Sequence, residues 1–214
     1  SDKSALLHWI DVPAAFGLLT RIPLRLNTAK VTARGGSSAW AFPIVGVFIG
    51  LVAAAVTAAV HWIGLPSAVA AIFAVLVPVI ITGAMHEDGL ADSADGLWGG
   101  HDTARRLEIM KDSRIGAYGV LALIFGLGLR WLALSELFES GAVLAPILVA
   151  AALSRVAPTV LMLRLPQART TGLSQSVGTP QARHVGLAAI LGALLAIIAL
   201  QSFPLLVFIA TALA

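Results

Sequence analysis

The sequence predicts an all-α protein that crosses a membrane several times. Hydrophobic residues make up 58% of the 214-residue chain, and charged residues make up only 12%. A soluble domain carries roughly a quarter charged residues, so this chain has too few to cover a water-facing surface. Its apolar residues also form several runs of about 18 residues or more with few charges, the length of a membrane-spanning helix. We therefore expect a polytopic helical bundle with about five to six transmembrane helices.

The apolar runs place the spans in chain order. A run of 23 residues between Trp40 and Trp62 is about 34 Å long as a helix, and aromatic residues at both ends fit the membrane interfaces. Residues 4–24 are apolar but are interrupted by Asp11 and Arg21, which predicts an interfacial or partly inserted amino-terminal helix. The predicted spans cover about residues 40–62, 68–85, 116–137, 142–163 and 185–200, with a sixth apolar stretch beginning at residue 204.

The distribution of positive charge predicts the orientation of the bundle. Of 14 Lys and Arg residues, five precede Trp40, four lie in residues 86–115 and three in residues 164–184. The short turns at 63–67 and 138–141 have none. Because Lys and Arg favour cytoplasmic loops, we expect the two long polar segments to be cytoplasmic loops. The net charge of +3 provides no broad basic surface for nucleic acid.

The chain shows no long internal repeat and no low-complexity linker, so we expect one membrane-embedded domain over residues 1–214. Arg130 lies beside Trp131 within a span and is expected to anchor at the interface. Four glycines within the spans are expected to let helices pack closely: Gly46, Gly50, Gly126 and Gly128.

The segment 86–115 holds seven of the 11 acidic residues. Asp88, Asp92 and Asp95 are spaced i, i+4, i+7, so on a helix they share one face. Carboxylates that close repel one another unless a cation neutralises them, and their oxygens suit Mg²⁺, Mn²⁺ or Ca²⁺. The chain has no cysteine, and the spacing is not that of an EF-hand. We therefore expect a metal site with Glu87 as a further ligand; a solvated acidic loop is the alternative.

Positive charges follow the acids in the same segment. Mg²⁺ held by one or two carboxylates together with substrate phosphates is a common arrangement, and Arg contacts phosphate with two parallel hydrogen bonds. Lys111 and Arg114 are therefore expected to bind phosphate. Arg155 is a further candidate, because a cation inside a span is costly, with snorkelling to the interface as its alternative. For Arg105 and Arg106, ordinary positive charge flanking a membrane span is as good an explanation as phosphate binding.

Two blocks of this segment resemble the cobalamin synthase (adenosylcobinamide-GDP ribazoletransferase) family. They are Glu-Asp-Gly-Leu-Ala-Asp-Ser-Ala-Asp-Gly at 87–96 and Arg-Leu-Glu-Ile-Met-Lys-Asp-Ser-Arg-Ile-Gly-Ala-Tyr-Gly at 106–119. Weaker similarity at 19–23, 42–46 and 154–155 extends the resemblance over roughly residues 10–200. It implies a multi-pass enzyme of the bacterial inner membrane that uses Mg²⁺. The implied reaction joins adenosylcobinamide-GDP to α-ribazole, or its 5′-phosphate, and releases GMP.

The resemblance implies phosphoryl transfer at this segment. A ribose hydroxyl of α-ribazole would attack the phosphorus on the cobinamide side, and metal and basic residues would offset the charge of the leaving GMP. The residues expected to hold metal or act in catalysis are Glu87, Asp88, Asp92, Asp95 and Asp112, the last a candidate general base together with Glu108. Those expected to bind substrate phosphate are Lys111, Arg114, Arg155 and Arg21.

Two other classes share parts of this pattern. CDP-alcohol phosphotransferases and aromatic prenyltransferases also use aspartate-rich motifs at a membrane surface. The spacing from Asp92 to Gly96 is similar to the start of the first motif, and that from Asp88 to Asp92 to the second. A divalent-cation transporter would place its acids at mid-membrane. In this sequence the acids follow the end of a predicted span.

Overall fold

The computed structural model describes the backbone of residues 5–212 and the side chains of residues 5–201. Within that range the chain forms helices and no strand, which confirms the all-α prediction. A 3-10 helix, Gly35–Ala41, connects the second and third helices. The α-helices are α1 Asp11–Leu19, α2 Thr28–Arg34, α3 Phe42–Trp62, α4 Ser67–Thr82, α5 Met85–Gly99, α6 Thr103–Ile109, α7 Ala117–Glu139, α8 Leu144–Leu153, α9 Val156–Arg164, α10 Leu173–Val177 and α11 Ala182–Ala212.

Four helical stretches of the described chain are long and apolar enough to cross a membrane, and a fifth is the bent pair α4 and α5. This confirms the polytopic helical class. The first stretch is longer than predicted, because α2 and the 3-10 helix continue into α3. The four unbent stretches are Thr28–Trp62, Ala117–Glu139, Leu144–Arg164 and Ala182–Gln201.

The second predicted span differs most from the structure. Helix α4 has 16 residues, about 24 Å of helix, which is shorter than the roughly 30 Å of a hydrocarbon core. It ends at Gly83 and Ala84, whose φ values of +66° and +59° lie in the left-handed region. Two such residues in succession stop a right-handed helix, and α5 leaves at 91° to α4. The predicted polar loop 86–115 therefore consists largely of the helices α5 and α6.

The two ends of the described chain also refine the prediction. Helix α1 has nine residues and is too short to span a membrane. The interfacial position of α1 stays a prediction. The apolar stretch predicted to begin at residue 204 is not a separate helix, because α11 continues without a break to Ala212. No charged residue and no glycine interrupts residues 193–212, and Pro204 lies within the helix without ending it.

The chain groups into two compact units. Unit 1 comprises the residues up to Ala55 and those from Ala142 onward, and it contains α1, α2, the first part of α3 and α8–α11. Unit 2 comprises Val56–Gly141 and contains the rest of α3 and α4–α7. The single membrane-embedded domain stays a prediction.

Small residues let the helices of unit 1 approach closely. A methyl group at Gly46 would collide with the carbonyl oxygen of Ala151, and one at Gly50 would lie 2.9 Å from the Ala151 side chain. The predicted close packing is therefore confirmed for these two glycines of α3. In unit 2, a methyl group at Gly126 would lie 3.2 Å from Leu90, also a close contact. The prediction is wrong for Gly128, around which there is open space.

A buried ion pair ties the amino-terminal helix to unit 1. The Asp11 carboxylate accepts hydrogen bonds from Arg34 Nε and Nη2, each at 2.7 Å, and from Trp40 Nε1 at 2.8 Å. The side chains of Asp11 and Arg34 are fully buried, and Arg34 also donates to the carbonyl oxygen of Ala5 at 3.0 Å. Asp11 was identified only as an interruption of an apolar run. A charge at such a position is itself a signal of a buried partner, because an unpaired one is costly.

Candidate active site

The acidic helix α5 lies along α7 in the antiparallel direction within unit 2. Glu87, in the first turn of α5, is close to Arg130 in the second half of α7, and Asp95 contacts the first residues of α7. The buried Ala91 and Ala94 lie between these two contacts along α5. The apolar face of α5 therefore packs against its neighbours, as the interleaving of acids with alanine and leucine predicts.

The three aspartates lie on one continuous helix, as predicted, but they differ in burial. Asp88 is exposed, Asp92 is half-buried and Asp95 is buried. A spacing of four and then three residues keeps all three within one side of the helix. Asp95 nevertheless sits at the edge that faces α7. The face predicted to hold metal therefore presents Asp88 and Asp92 outward, and Asp95 inward.

Asp95 makes two short hydrogen bonds to the start of α7. Its Oδ2 accepts the backbone N–H of Gly116 at 2.7 Å, and its Oδ1 accepts the N–H of Gly119 at 2.8 Å. Gly116 is the N-cap residue of α7 and Gly119 lies in its first turn. The first four N–H groups of a helix have no partner within the helix, so Asp95 pairs two donors that would otherwise be unsatisfied.

Glu87 presents a buried carboxylate oxygen that suits a cation. Its side chain is only 11% exposed, and its Oε1 lies 3.5 Å from Arg130 Nη1. Its Oε2 is buried without a hydrogen-bond partner among the described residues. A buried anionic oxygen left unpaired is costly, and a divalent cation would remove that cost. The residues at the start of α5 therefore fit the predicted metal, with Glu87 as one ligand.

The described side chains contain no group of three or more His, Asp or Glu residues close enough to hold a metal ion by themselves. This geometry still agrees with Mg²⁺ chemistry, since Mg²⁺ binds one or two carboxylates and completes its octahedron with water and substrate phosphate. The predicted ligand set of Glu87, Asp88, Asp92 and Asp95 stays a prediction.

The basic segment that follows α6 is exposed. Arg114 donates from Nη2 to Asp112 Oδ2 at 2.7 Å and from Nε to both carboxylate oxygens at 3.1 Å. These side-chain bonds, and then the bond from the Arg114 backbone N–H, lower the pKa of Asp112 to about 2. A carboxylate with so low a pKa is a weak base at neutral pH. The pKa of Asp112 would rise if Arg114 paired with another anion instead. Lys111 is exposed beside this pair.

The other charged residues of the segment have local roles. Arg105 pairs with Glu108 at 2.7 Å, and both side chains are largely exposed. Arg106 donates from Nε to the carbonyl oxygen of Gly100 at 3.0 Å, which holds α6 against the end of α5. Asp102 caps α6 by accepting the N–H of Arg105 at 2.8 Å. Arg105 and Arg106 thus make local contacts, and the choice between flanking charge and phosphate binding for them stays a prediction.

The two remaining phosphate-binding candidates belong to unit 1. Arg155 is 8% exposed and lies at the break between α8 and α9, where its Nη1 donates to Ser154 Oγ at 2.7 Å. Arg21 is exposed and follows the end of α1. The structure brings together Glu87, Asp88, Asp92 and Asp95 on α5, and places Lys111, Asp112 and Arg114 between α6 and α7.

A cavity of about 570 Å³ lies in unit 1. Its size is in the range of small-molecule pockets. Its lining combines apolar side chains with the hydroxyl groups of Thr28, Thr32, Ser38 and Ser176, and it contains no charged residue. Ile22, which follows Arg21 in the sequence, is part of this lining. The sequence gives no sign of this cavity, because its walls come from α1, α2, α10 and the chain between them.

The fold and the site define a multi-pass helical membrane protein. Its acidic helix α5 packs against the start of α7, which follows the basic segment with Lys111 and Arg114. The family model for cobalamin-5-phosphate synthase (CobS) matches residues 11–214. The chain belongs to the cobalamin-5-phosphate synthase family, and it is a transferase of cobalamin biosynthesis. This confirms the resemblance found in the two sequence blocks.

Curated relatives agree with this membership. A protein of Azorhizobium caulinodans is 45% identical over 191 residues, which cover 87% of this chain and 72% of the relative. Proteins of Bradyrhizobium diazoefficiens and Mesorhizobium japonicum are 40% and 42% identical, and they cover 89% and 86% of this chain and 73% and 71% of their own length. All three are named adenosylcobinamide-GDP ribazoletransferase. No solved structure matches the chain.

Proposed function

We propose that this chain joins adenosylcobinamide-GDP to α-ribazole, or to its 5′-phosphate, and releases GMP. The single observation that carries this proposal beyond family membership is the contact between the two sequence blocks. Asp95 of the first block accepts hydrogen bonds from Gly116 and Gly119 of the second. This contact supports our assignment of the acidic helix and the basic segment to one site, which a diphosphate substrate with a bound cation requires.

Mg²⁺ is the cofactor that we propose for this site. Two of the carboxylates of Glu87, Asp88 and Asp92 would hold the ion, and water and substrate phosphate would supply its other ligands. The ion would supply Lewis-acid stabilisation of charge on phosphate oxygens. The hard oxygen ligands and the absence of cysteine from the chain support this choice.

The chain's own residues would bind and orient the diphosphate. Arg114 forms an ion pair with Asp112, and both side chains are solvent-accessible. A substrate phosphate that took over Arg114 would leave Asp112 without its partner and so raise the pKa of Asp112 from about 2. Substrate binding would thus make Asp112 a better proton acceptor for the attacking hydroxyl. The base role of Asp112 is part of the proposal.

We expect Lys111→Met and Arg114→Gln each to weaken handling of adenosylcobinamide-GDP. Loss of one charge-assisted contact costs about 1.5–3 kcal/mol, or roughly 10- to 150-fold in kcat/KM. Both residues are exposed, so stability should change little. Mg²⁺-dependent GMP release measures the effect, and Arg105→Gln is the matched control because Arg105 pairs only locally with Glu108 among the contacts described. Wild-type kcat/KM in both variants would contradict the phosphate-binding role.

We also propose an inner-membrane orientation in which both long polar segments face the cytoplasm. A cysteine at the exposed Ser140 should then be labelled from the periplasmic side, and one at the exposed Thr171 from the cytoplasmic side. The natural chain contains no cysteine, so each label reports one position. Labelling of Ser140→Cys only from the cytoplasm would reverse the proposed topology.

The rival classes are not favoured by the comparisons, since the family model covers residues 11–214. GMP release from adenosylcobinamide-GDP tests the proposal against all of them. A CDP-alcohol phosphotransferase would release CMP from its own donor, and a cation transporter would release no nucleotide. We expect GMP to appear only when the α-ribazole acceptor is present.

A further inference from the structure

We infer that Asp95 and Gly96 are positioning residues that fix both ends of the basic segment 111–115 against the acidic helix. This differs from the predicted role of Asp95 as a metal ligand. Its consequence for turnover rests on the proposed function, but its structural basis does not. Four observations in unit 2 carry the inference.

The first observation concerns the contact of Asp95 with the carboxyl end of the segment 111–115. Asp95 is 8% exposed, and each of its oxygens accepts one backbone N–H at the start of α7, from Gly116 at 2.7 Å and from Gly119 at 2.8 Å. The carboxylate is thus directed into the first turn of α7, where the helix dipole also favours an anion. Asp88, on the same helix, is exposed. Asp88, unlike Asp95, is therefore open to solvent.

The second observation concerns the packing of Gly96 against the amino end of the segment 111–115. Gly96 packs directly on Met110, because a methyl group at Gly96 would lie 2.6 Å from Met110 Cγ and Cε and 3.0 Å from the carbonyl oxygen of Arg106. Met110 is the residue that ends α6. Adjacent residues of α5 therefore hold residue 110 and residue 116, and the segment with Lys111 and Arg114 lies between these two fixed points.

The third observation explains why α7 begins with two glycines. A methyl group at Gly116 or at Gly119 would collide with the Asp95 carboxylate. Neither glycine has a positive φ, so backbone conformation does not require glycine at either position. Space for the carboxylate is the physical reason for both.

The fourth observation concerns what the anchoring achieves. Lys111 and Arg114 are both exposed, and the bond described for Arg114 is to its near neighbour Asp112. Nothing in that local pairing fixes their position relative to Asp88 and Asp92. The bonds of Asp95 and the packing of Gly96 do so, since they join the helix of the acids to both ends of the basic segment.

The test compares Asp95→Asn with Asp88→Asn in the full chain. An asparagine can accept only one of the two N–H bonds without turning its own N–H₂ toward a donor. If Asp95 is a positioning residue, Asp95→Asn raises KM for adenosylcobinamide-GDP about tenfold or more, while the Mg²⁺ concentration for half-maximal rate changes less than twofold. A rise of about tenfold in that Mg²⁺ concentration would show that Asp95 is a metal ligand and overturn the inference.

A double-mutant cycle tests the contact without any activity. Gly119→Ala should lower the unfolding midpoint in detergent by about 2–8 °C, as loss of a helix cap does. Gly128→Ala, on the same helix in open space, is the matched control and should leave the midpoint unchanged or raise it, because alanine favours a helix interior more than glycine does. Once Asp95→Ala has removed the carboxylate, adding Gly119→Ala should cost much less, because the next neighbour of the new methyl group is the carbonyl oxygen of Ala91 at 3.1 Å. Additive losses would overturn the inference, even if the wild-type chain released no GMP and the proposed function had failed.

Discussion

Asp88→Asn and Asp92→Asn are each expected to lower Mg²⁺-dependent GMP release by about 100-fold or more, with the protein still inserted and folded. The loss of several kcal/mol of charge stabilisation corresponds to at least two powers of ten in rate. Asp88 is exposed and Asp92 half-buried on the outward side of α5, so neither change removes much packing. Steady-state GMP release in liposomes measures the effect. Glu139→Gln, the same loss of charge at the exposed end of α7, is the control.

A change of metal preference separates ligation from general electrostatics. Because the natural chain has no cysteine, Asp88→Cys and Asp92→Cys introduce the only thiols. A thiolate prefers soft ions, so Cd²⁺ should restore part of the activity that Mg²⁺ does not. If the asparagine variants retained wild-type rates, α5 would be only a solvated acidic helix. If neither thiol variant responded to a softer ion, direct ligation by these two residues would be excluded.

Asp11→Asn is expected to cost about 3–5 kcal/mol of stability, because it leaves the buried guanidinium of Arg34 without its anion. Both side chains are fully buried, and the pair has two bonds of 2.7 Å. Reversible unfolding in mixed detergent micelles measures the loss. Asp102→Asn is the control, since Asp102 is an exposed N-cap whose weakening costs about 1 kcal/mol.

The double variant Asp11→Leu with Arg34→Met sharpens this prediction. Replacing both members of a buried ion pair by apolar residues is often close to neutral, so the double variant should be more stable than Asp11→Asn alone. If the double variant lost as much stability as the single variants Asp11→Leu and Arg34→Met lose together, the ion pair would not be the source of the lost stability. Trp40 would still lack its carboxylate partner, so a residual loss of about 1 kcal/mol is expected.

Sequence reasoning worked where a local pattern decides the structure. Apolar runs are long enough to identify α3, α7, α8 with α9, and α11, because only apolar helices of that length are stable in a bilayer. The spacing of Asp88, Asp92 and Asp95 is regular enough to predict one helix, and α5 is that helix. The two family blocks are in contact in the structure, at Asp95 of α5 and the start of α7, while their role as the functional segment stays a prediction.

Long-range pairing was beyond the reach of the sequence. The bend at Gly83 and Ala84 depends on two successive left-handed residues, and alanine gives no sign of that conformation. Asp95 belongs to the same i, i+4, i+7 pattern as Asp88, yet its side chain is buried because α7 packs against that side of α5. Asp11 and Arg34 are 23 residues apart, and no periodicity connects them. Each outcome follows from the packing of helices, which spacing along one helix does not contain.

Stoichiometric transfer in the purified full chain tests the central claim most directly. The chain is reconstituted in liposomes with Mg²⁺, adenosylcobinamide-GDP and α-ribazole, and both GMP and the new corrinoid are quantified over time. We predict one GMP for each corrinoid that has gained the ribazole nucleotide, and no GMP when α-ribazole is omitted. GMP release at the same rate without α-ribazole would show hydrolysis instead of transfer, and absence of both products from the folded chain would contradict the proposed reaction itself.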